Sequence, residues 1–278
     1  MSSLSSSKSQ SPSPRVGTAA ALLNGKIYVF SGRGGVAMQP VEEQGAVWEY
    51  DPAEEKWSLI TLENATSEIH PAGRSYHCTT SDGEDAVYVH AGCPESGRLS
   101  DLWAFSLSSK RWTELAAAPD PPRGGASIAF AGGKLYRMNG FDGNTEQGGS
   151  VDIYTPDSNS WVSHSYAPDG NAGPTPRSVS VLLPVTLDSR TYLVTLFGER
   201  DPSSLGHQGA GKMLDDVWLF DTERKTWTEV SIQGDELPAA RGWFDADVLG
   251  ENIVVVQGGL GETNNRLGDV WSFELSTY

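Results

Sequence analysis

The sequence predicts an all-β fold of five repeats, the pattern of a β-propeller. Three observations carry this prediction. A set of landmarks recurs through the 278 residues, the landmarks are short β-branched and aromatic runs, and the chain is rich in turn-forming and aromatic residues, with 31 Gly, 16 Pro and 9 Trp. Repeats of this kind are typical of propellers, and this composition favours a turn-rich globular protein over a helical bundle.

The first landmark is an arginine that opens a strand of small and apolar residues. It occurs at spacings of 59, 49, 54 and 64 residues, at Arg15, Arg74, Arg123, Arg177 and Arg241. The second landmark is a β-branched and aromatic run that ends in a glycine, at Gly32, Gly92, Gly140, Gly198 and Gly259. The spacing is that of a propeller repeat of about 50 residues with loops inserted.

The third landmark is a hydrophobic strand that reads VWEYD, LWAFS, VDIYT, VWLFD and VWSFE in successive repeats. A tryptophan follows ten residues after the start of this strand in four repeats, at Trp57, Trp112, Trp161 and Trp227. The four landmarks together resemble the kelch repeat, whose unit is a four-stranded antiparallel blade. The resemblance implies that the landmarks mark strands a, b, c and d.

The domain organisation follows from where the repeats begin and end. We expect a flexible tail over residues 1–14 and one kelch β-propeller over residues 15–278. The fifth repeat reaches strand c without a tryptophan for strand d, so residues before Arg15 would have to supply a fourth strand. If they do so only weakly, the propeller is incompletely closed and its open edge could pair with a second copy of the chain.

Charge and hydropathy exclude several classes of partner. The net charge of −16 would repel a phosphate backbone, so we expect no nucleic-acid partner. No apolar stretch approaches the roughly 18 residues of a membrane span, and the N-terminus lacks the apolar core of a signal peptide. We therefore expect a protein of the cytoplasm or nucleus with no membrane contact.

The five landmark arginines are the candidate anion-binding residues. Strands alternate in direction within a blade, so the start of strand a and the loop between strands b and c lie on the same face. Arg15, Arg74, Arg123, Arg177 and Arg241 would then surround the mouth of the channel, where guanidinium groups could bind a small anionic molecule or an acidic peptide. The structural alternative is that each arginine pairs with an acidic residue or carbonyl of a neighbouring blade.

The loop between strands b and c of the fourth repeat is the candidate metal site. It places Glu199, Asp201, Ser203 and His207 in a glycine-rich segment that could bring their side chains together. Carboxylate and imidazole donors of this kind suit Fe(II), Mn(II) or Zn(II), and the alternative is a solvated loop without a metal.

This loop, with the segments RGGASIAF, PRSVSV and ARGW, is similar to the kelch specifier proteins, namely the nitrile-specifier and thiocyanate-forming proteins. Those proteins hold non-haem Fe(II) at the spacing E-x-x-x-D-x-x-x-H. The resemblance implies Glu199 and His207 as catalytic residues and iron ligands, Ser203 at the middle position that carries Asp in the family, and Arg74 as an anion-facing residue. The family usually has six repeats, whereas this chain has five.

Two functions remain open at this stage, and the sequence leaves undecided whether the protein is an enzyme. One is a specifier-like, lyase-type protein that directs the breakdown of an anionic, sulfur-containing substrate with the help of Fe(II). The other is a non-catalytic kelch scaffold whose loop face binds an acidic peptide or a partner protein. A fold does not choose between these functions.

Overall fold

The computed structural model describes residues 10–62, 69–205 and 209–276. Within these ranges the chain is all-β, and the one helical element is a 3-10 turn at Pro156–Ser158. No described helix has the length and apolar character that a membrane crossing requires.

The strands follow the repeats in order. Repeat one forms β1 (Arg15–Val16), β2 (Ala19–Leu23), β3 (Lys26–Phe30), β4 (Arg33–Gly34), β5 (Gln39–Pro40), β6 (Val47–Asp51) and β7 (Lys56–Ile60). Repeat two forms β8 (Cys78–Ser81), β9 (Ala86–His90), β10 (Leu102–Ser106) and β11 (Arg111–Leu115). Repeat three forms β12 (Ser127–Ala131), β13 (Lys134–Met138), β14 (Ser150–Thr155) and β15 (Ser160–Ser165).

Repeat four forms β16 (Val181–Leu187), β17 (Arg190–Leu196), β18 (Glu199–Arg200), β19 (Lys212–Met213), β20 (Val217–Asp221) and β21 (Thr226–Val230). Repeat five forms β22 (Asp245–Leu249), β23 (Ile253–Leu260) and β24 (Arg266–Glu274). The main sheets are antiparallel blades in the orders β2-β3-β6-β7, β8-β9-β10-β11, β12-β13-β14-β15, β16-β17-β20-β21 and β22-β23-β24. The predicted five-blade, all-β architecture is confirmed.

The glycine that ends strand b is required by close backbone approach. Gly92 and Gly198 have φ angles of 96° and 108°, which L side chains rarely adopt. A Cβ atom at Gly92 would lie 2.8 Å from the carbonyl oxygen of Ser75, and one at Gly198 would lie 2.9 Å from that of Ser178. These carbonyls belong to the start of strand a of the same repeat, so the glycine lets strands a and b converge on the loop face.

Backbone hydrogen bonds link successive blades at their innermost points. The residue two positions after each landmark arginine has a positive φ. In repeats two to five it donates its N–H to the equivalent carbonyl of the preceding blade. The series runs from Tyr76 to Gly17 at 2.6 Å, from Gly125 to Tyr76 at 2.8 Å, from Val179 to Gly125 at 3.0 Å and from Trp243 to Val179 at 3.1 Å. Each blade is therefore set in a fixed orientation relative to the one before it.

The strand d tryptophans fill the space between blades. The Trp112 ring of blade two lies 5.1 Å from the Phe30 ring of blade one, and its Nε1 donates to the carbonyl of Gly45 at 2.7 Å. Trp161 of blade three donates to Ala116 of blade two at 2.7 Å. Trp227 of blade four packs against Tyr166 of blade three. Trp57 of blade one instead stacks on Trp48 and Tyr50 of its own blade.

Blade five has three strands from its own repeat, as the sequence predicts. Its side chains alternate between a buried face against blade four and an exposed face that includes Leu249 at 64% and Val270 at 65% exposure. Residues 10–14 form no strand, and the remainder of the predicted tail and closing segment, residues 1–9, lies outside the described residues. In the described part of the chain, β24 therefore pairs only with β23.

Truncation of a tryptophan between blades should cost more stability than truncation of Trp57, whose ring contacts within the described residues are to its own blade. We expect Trp112→Ala to lower the free energy of unfolding by about 3–5 kcal/mol, because a buried indole and its hydrogen bond are lost. Trp57→Ala, at the half-buried equivalent position, should cost at least ~1 kcal/mol less. Urea unfolding followed by circular dichroism would measure both, and equal losses would contradict the interblade role of Trp112.

Candidate functional site

The landmark arginines fasten the start of strand a to the end of strand b. Arg74, Arg123, Arg177 and Arg241 are buried, and Arg15 is half-buried. In every case Nε donates to the carbonyl two residues upstream, and Nη1 donates to the carbonyl of the residue before the strand b glycine. This pattern repeats with donor–acceptor distances of 2.9–3.1 Å.

Four of these arginines also form a bidentate ion pair with a carboxylate that precedes strand c. The pairs are Arg15–Glu43, Arg74–Asp101, Arg177–Asp216 and Arg241–Asp269. Each carboxylate also accepts an indole N–H, from Trp48, Trp103, Trp218 and Trp271 respectively. Each acid comes from the same repeat as its arginine, because strand c lies beside strand b in one sheet. The structural alternative considered above had placed the acid in a neighbouring blade.

The third repeat departs from this arrangement. Ser150 stands where the acid would precede strand c, and Asp152 stands where the tryptophan would follow. Asp152 is buried and pairs instead with Arg137 of strand b, with distances of 3.0 Å from Nε and 2.5 Å from Nη2. Among the described residues, no carboxylate forms an ion pair with Arg123.

Arg123 is therefore a buried cation without a neutralising partner in the described part of the chain. Burial, with the nearby positive charge of Arg137, lowers the pKa of Arg123 to about 10. The guanidinium stays charged at neutral pH, and its Nε and Nη1 are already used by Pro121 and Asn139. The anion-binding role of the five arginines stays a prediction. Arg123 is the landmark arginine that has no ion pair with a described carboxylate.

Glu146 is a site residue that the sequence analysis missed. It lies in the loop between strands b and c of repeat three and forms a β-bridge with Phe141. Burial, together with the negative charges of Glu199, Asp201 and Asp142, raises the pKa of the Glu146 carboxyl to about 7. Its position in the repeat could have pointed to Glu146, because the equivalent loop of repeat four carries the predicted metal site.

Glu199 begins β18 and its side chain is buried. Its Oε1 accepts a hydrogen bond from the backbone N–H of Gly211 at 2.6 Å, and its Oε2 accepts one from Nε1 of Trp243 at 2.5 Å. The Trp243 ring of blade five also meets the Tyr76 ring of blade two edge to face, with centroids 5.6 Å apart. Glu199 is thus held at an aromatic surface formed by blades that are not adjacent in sequence.

The other described residues of the predicted metal site, Asp201 and Ser203, have partners other than Glu199. Asp201 is exposed and pairs with Arg200 at 3.3 Å, while the Ser203 hydroxyl accepts the N–H of Leu205 at 3.1 Å. His207 lies outside the described residues. Among the described residues, no group of three or more His, Cys, Asp and Glu side chains is arranged to hold a metal. Glu199 and Asp201 do not fit Fe(II) by themselves, because an iron site needs a larger donor set.

Repeat two also carries two buried histidines, His77 and His90, and two half-buried cysteines, Cys78 and Cys93. Burial and the charge of Arg74 lower the pKa of His77 to about 3, so His77 is neutral at physiological pH. His90 is fully buried, and its Nδ1 lies 2.7 Å from the carbonyl oxygen of Asp101. Cys78 and Cys93 are free thiols, and burial raises the pKa of Cys78 to about 12. Burial thus favours the uncharged form of all four side chains.

Comparison with known proteins gives one family match and two kinds of relative. The model of the KLHDC2/KLHL20/DRC7 Kelch-repeats domain matches residues 2–198. The N-(sulfonatooxy)prop-2-enimidothioate sulfolyase of Thlaspi arvense is 27% identical over 295 residues, which cover 96% of this chain and 79% of the relative. The N-acetylneuraminate epimerase 2 of Escherichia coli O6:H1 is 46% identical over 94 residues, which cover 32% of this chain and 25% of the epimerase.

The raised pKa of Glu146 predicts a measurable pH dependence. An acid with a higher pKa in the folded protein contributes stability below its unfolded pKa of about 4.3, and that contribution is lost as the pH rises through about 7. Glu146→Gln should therefore gain stability relative to the wild type at pH 8 but not at pH 4. Urea unfolding at both pH values would measure this difference. The exposed Glu95→Gln is the matched control, and an equal pH response of both variants would contradict the prediction.

Proposed function

The chain belongs to the kelch-repeat family, and from that premise we propose that its loop face binds a small, anionic, sulfur-containing molecule and directs its breakdown in a lyase-type reaction. The observation that carries the proposal is the buried Arg123, which lacks the carboxylate that neutralises the other landmark arginines. The similarity to the sulfolyase over 96% of the chain supports this choice of substrate class.

Arg123 favours an anionic ligand for an electrostatic reason. A buried charge without a partner is costly, and an anion that pairs with it offsets part of this cost. The remaining nitrogen of its guanidinium offers a charge-assisted hydrogen bond to a sulfate-like oxygen. Asp142 also lies near this region, since the charges of Arg98 and Arg123 contribute to a lowered pKa of that carboxyl, after hydrogen bonds from the backbone of Thr145 and Asn144.

Glu146 complements Arg123 in this proposal. With a pKa of about 7, its carboxyl is largely protonated below neutral pH, so it does not repel an anion and can donate a hydrogen bond to it. Glu199 keeps a fixed position through its bonds to Gly211 and Trp243. The ligand would then lie between a cation, a protonated carboxyl and the aromatic surface of Tyr76 and Trp243.

Iron is a separate part of the proposal, and no step of the reaction depends on it here. Fe(II) held by Glu199, Asp201 and His207 would supply a Lewis acid for a sulfur or nitrogen atom. The support is the resemblance of the loop to the specifier proteins and the burial of Glu199.

Anion binding tests the role of Arg123. We expect Arg123→Gln to weaken the binding of allyl sulfate by at least about 10-fold, which corresponds to about 1.4 kcal/mol, because the unpaired cation is removed. The same variant should release less sulfate from N-(sulfonatooxy)prop-2-enimidothioate. Calorimetric titration and sulfate release would measure the two effects. The exposed Arg266→Gln should behave as the wild type.

Two results would redirect the proposal. Wild-type binding of allyl sulfate without sulfate release would leave the scaffold function, in which the loop face binds an acidic peptide. Equal binding by Arg123→Gln and Arg266→Gln would remove the anion site itself.

Metal analysis tests the iron proposal. Anaerobic loading with Fe(II) should give about one iron per chain, and His207→Ala should lose it because an imidazole donor is removed. Ser203→Asp should bind iron more tightly than the wild type, since it adds a carboxylate at the family's middle position. Metal content after desalting would measure this. Equal iron content in all three proteins would show that the loop is not a metal site.

A further inference from the structure

The third repeat carries a buried ion pair at two positions that are uncharged in the other four repeats. Arg137 stands three residues before the strand b glycine, where the other repeats have valine or threonine, and Asp152 stands where they have the strand c tryptophan. The two residues are register partners on β13 and β14, and they are 0% and 2% exposed. One repeat has therefore placed two opposite charges in its core.

Packing does not explain this exchange. A buried ion pair is often no more stabilising than well-packed apolar residues of similar volume, because both ions lose their hydration. The Nη1 atom of Arg137 is also buried without a hydrogen-bond partner in the described part of the chain. Its Nε and Nη2 donate to Asp152, and Nη2 also donates to the carbonyl of Pro119 at 3.0 Å. The pair therefore calls for a role other than stabilising the core.

The backbone brings the guanidinium groups of Arg123 and Arg137 together. Nε of Arg123 donates to the carbonyl of Pro121, two residues after Pro119, the residue that accepts from Arg137. Nη1 of Arg123 donates to the carbonyl of Asn139, two residues after Arg137 itself. Both guanidinium groups are therefore bound to the same two backbone segments, and we call Arg123, Arg137 and Asp152 the arginine cluster.

The arginine cluster carries one net positive charge, since it holds two cations and one anion. These charges act on one another, because burial and the charge of Arg137 outweigh the charge of Asp152 and lower the pKa of Arg123 to about 10. The side chains of Cys78 and His90 also feel the charge of Arg137, but burial favours their uncharged forms. They therefore leave the charge of the cluster unchanged.

The charges outside the arginine cluster offset each other. The carboxylate of Asp142 feels the charges of Arg98 and Arg123. Arg98 lies over the ring of Phe141, at 5.0 Å from its centroid. Since Asp142 and Arg98 are opposite in sign, the cluster itself decides how strongly an anion is attracted to Arg123.

Asp152 is held so that it does not bind Arg123 directly. Its Oδ2 accepts both hydrogen bonds from Arg137, and its Oδ1 accepts one from the hydroxyl of Ser163 at 2.6 Å. Each carboxylate oxygen thus has a donor, and no ion pair joins Asp152 to Arg123 among the described residues. Without Arg137, the charge of this buried carboxylate would instead balance that of Arg123.

We propose that Arg137 is a positioning residue for anion binding, which holds Asp152 and thereby leaves the charge of Arg123 available to a ligand. The inference rests on the anion site proposed above for Arg123. It extends that site to a second cation in the core of blade three that does not touch the ligand. In the other four repeats a carboxylate before strand c pairs with the landmark arginine, so no equivalent of Arg137 is needed.

Removal of the charge at Arg137 tests the proposal. We expect Arg137→Met to weaken the binding of allyl sulfate at least about 10-fold, because the cluster loses its net positive charge. Arg137→Lys keeps that charge and should stay within about 3-fold of the wild type. Calorimetric titration at one fixed ionic strength would measure both dissociation constants, and thermal unfolding would show whether each variant keeps the fold.

Two changes at Asp152 separate electrostatics from folding. The double variant Arg137→Val with Asp152→Trp carries the residues of repeat two, Val89 and Trp103, and again leaves one net positive charge. It should bind allyl sulfate within about 3-fold of the wild type, although Arg137→Met does not. Asp152→Asn leaves two positive charges and should bind more tightly than the wild type. A purely structural role of Arg137 would predict weaker binding in all of these variants.

The outcomes distinguish this inference from the proposed function. Equal binding by the wild type and Arg137→Met overturns the role of Arg137 and leaves the anion site at Arg123 intact. Weak binding by the folded double variant, or by Asp152→Asn, also overturns that role. Failure of the wild type to bind allyl sulfate would refute the proposed anion site and this inference with it.

Discussion

The buried arginine at the start of each repeat is the interaction on which the rest of the structure depends. Its guanidinium joins two backbone carbonyls and, in four repeats, a carboxylate that also accepts an indole N–H. These contacts tie strands a, b and c together on the loop face. Removal of one partner of a pair such as Arg74–Asp101 would be destabilising, because the other would be left as an unpaired charge away from bulk water.

The same constraint explains why the third repeat is a candidate site. Asp152 forms its ion pair with Arg137, and no described carboxylate forms one with Arg123, so the usual direct neutralisation is lost at one point of the face. Two further features converge there. Burial and the charges of Glu199 and other carboxylates raise the pKa of Glu146, and Glu199 is oriented by Trp243 from blade five. A cation and a protonatable acid on one surface are the groups that an anionic small molecule requires.

The sequence by itself determined the all-β class, the five repeats and the strand d tryptophans, because each is a local pattern of residue type and spacing. It also predicted Glu199 and the landmark arginines as site residues, which stays a prediction. Tertiary structure alone decided which of them are neutralised. Arg177 meets Asp216 at a separation of 39 residues, and Trp243 reaches Glu199 across 44. The pKa of Glu146 depends on burial and on charges from another repeat. The energies of these ion pairs, hydrogen bonds and pKa shifts depend on neighbours that are distant in sequence, so the local spacing of residue types does not predict them.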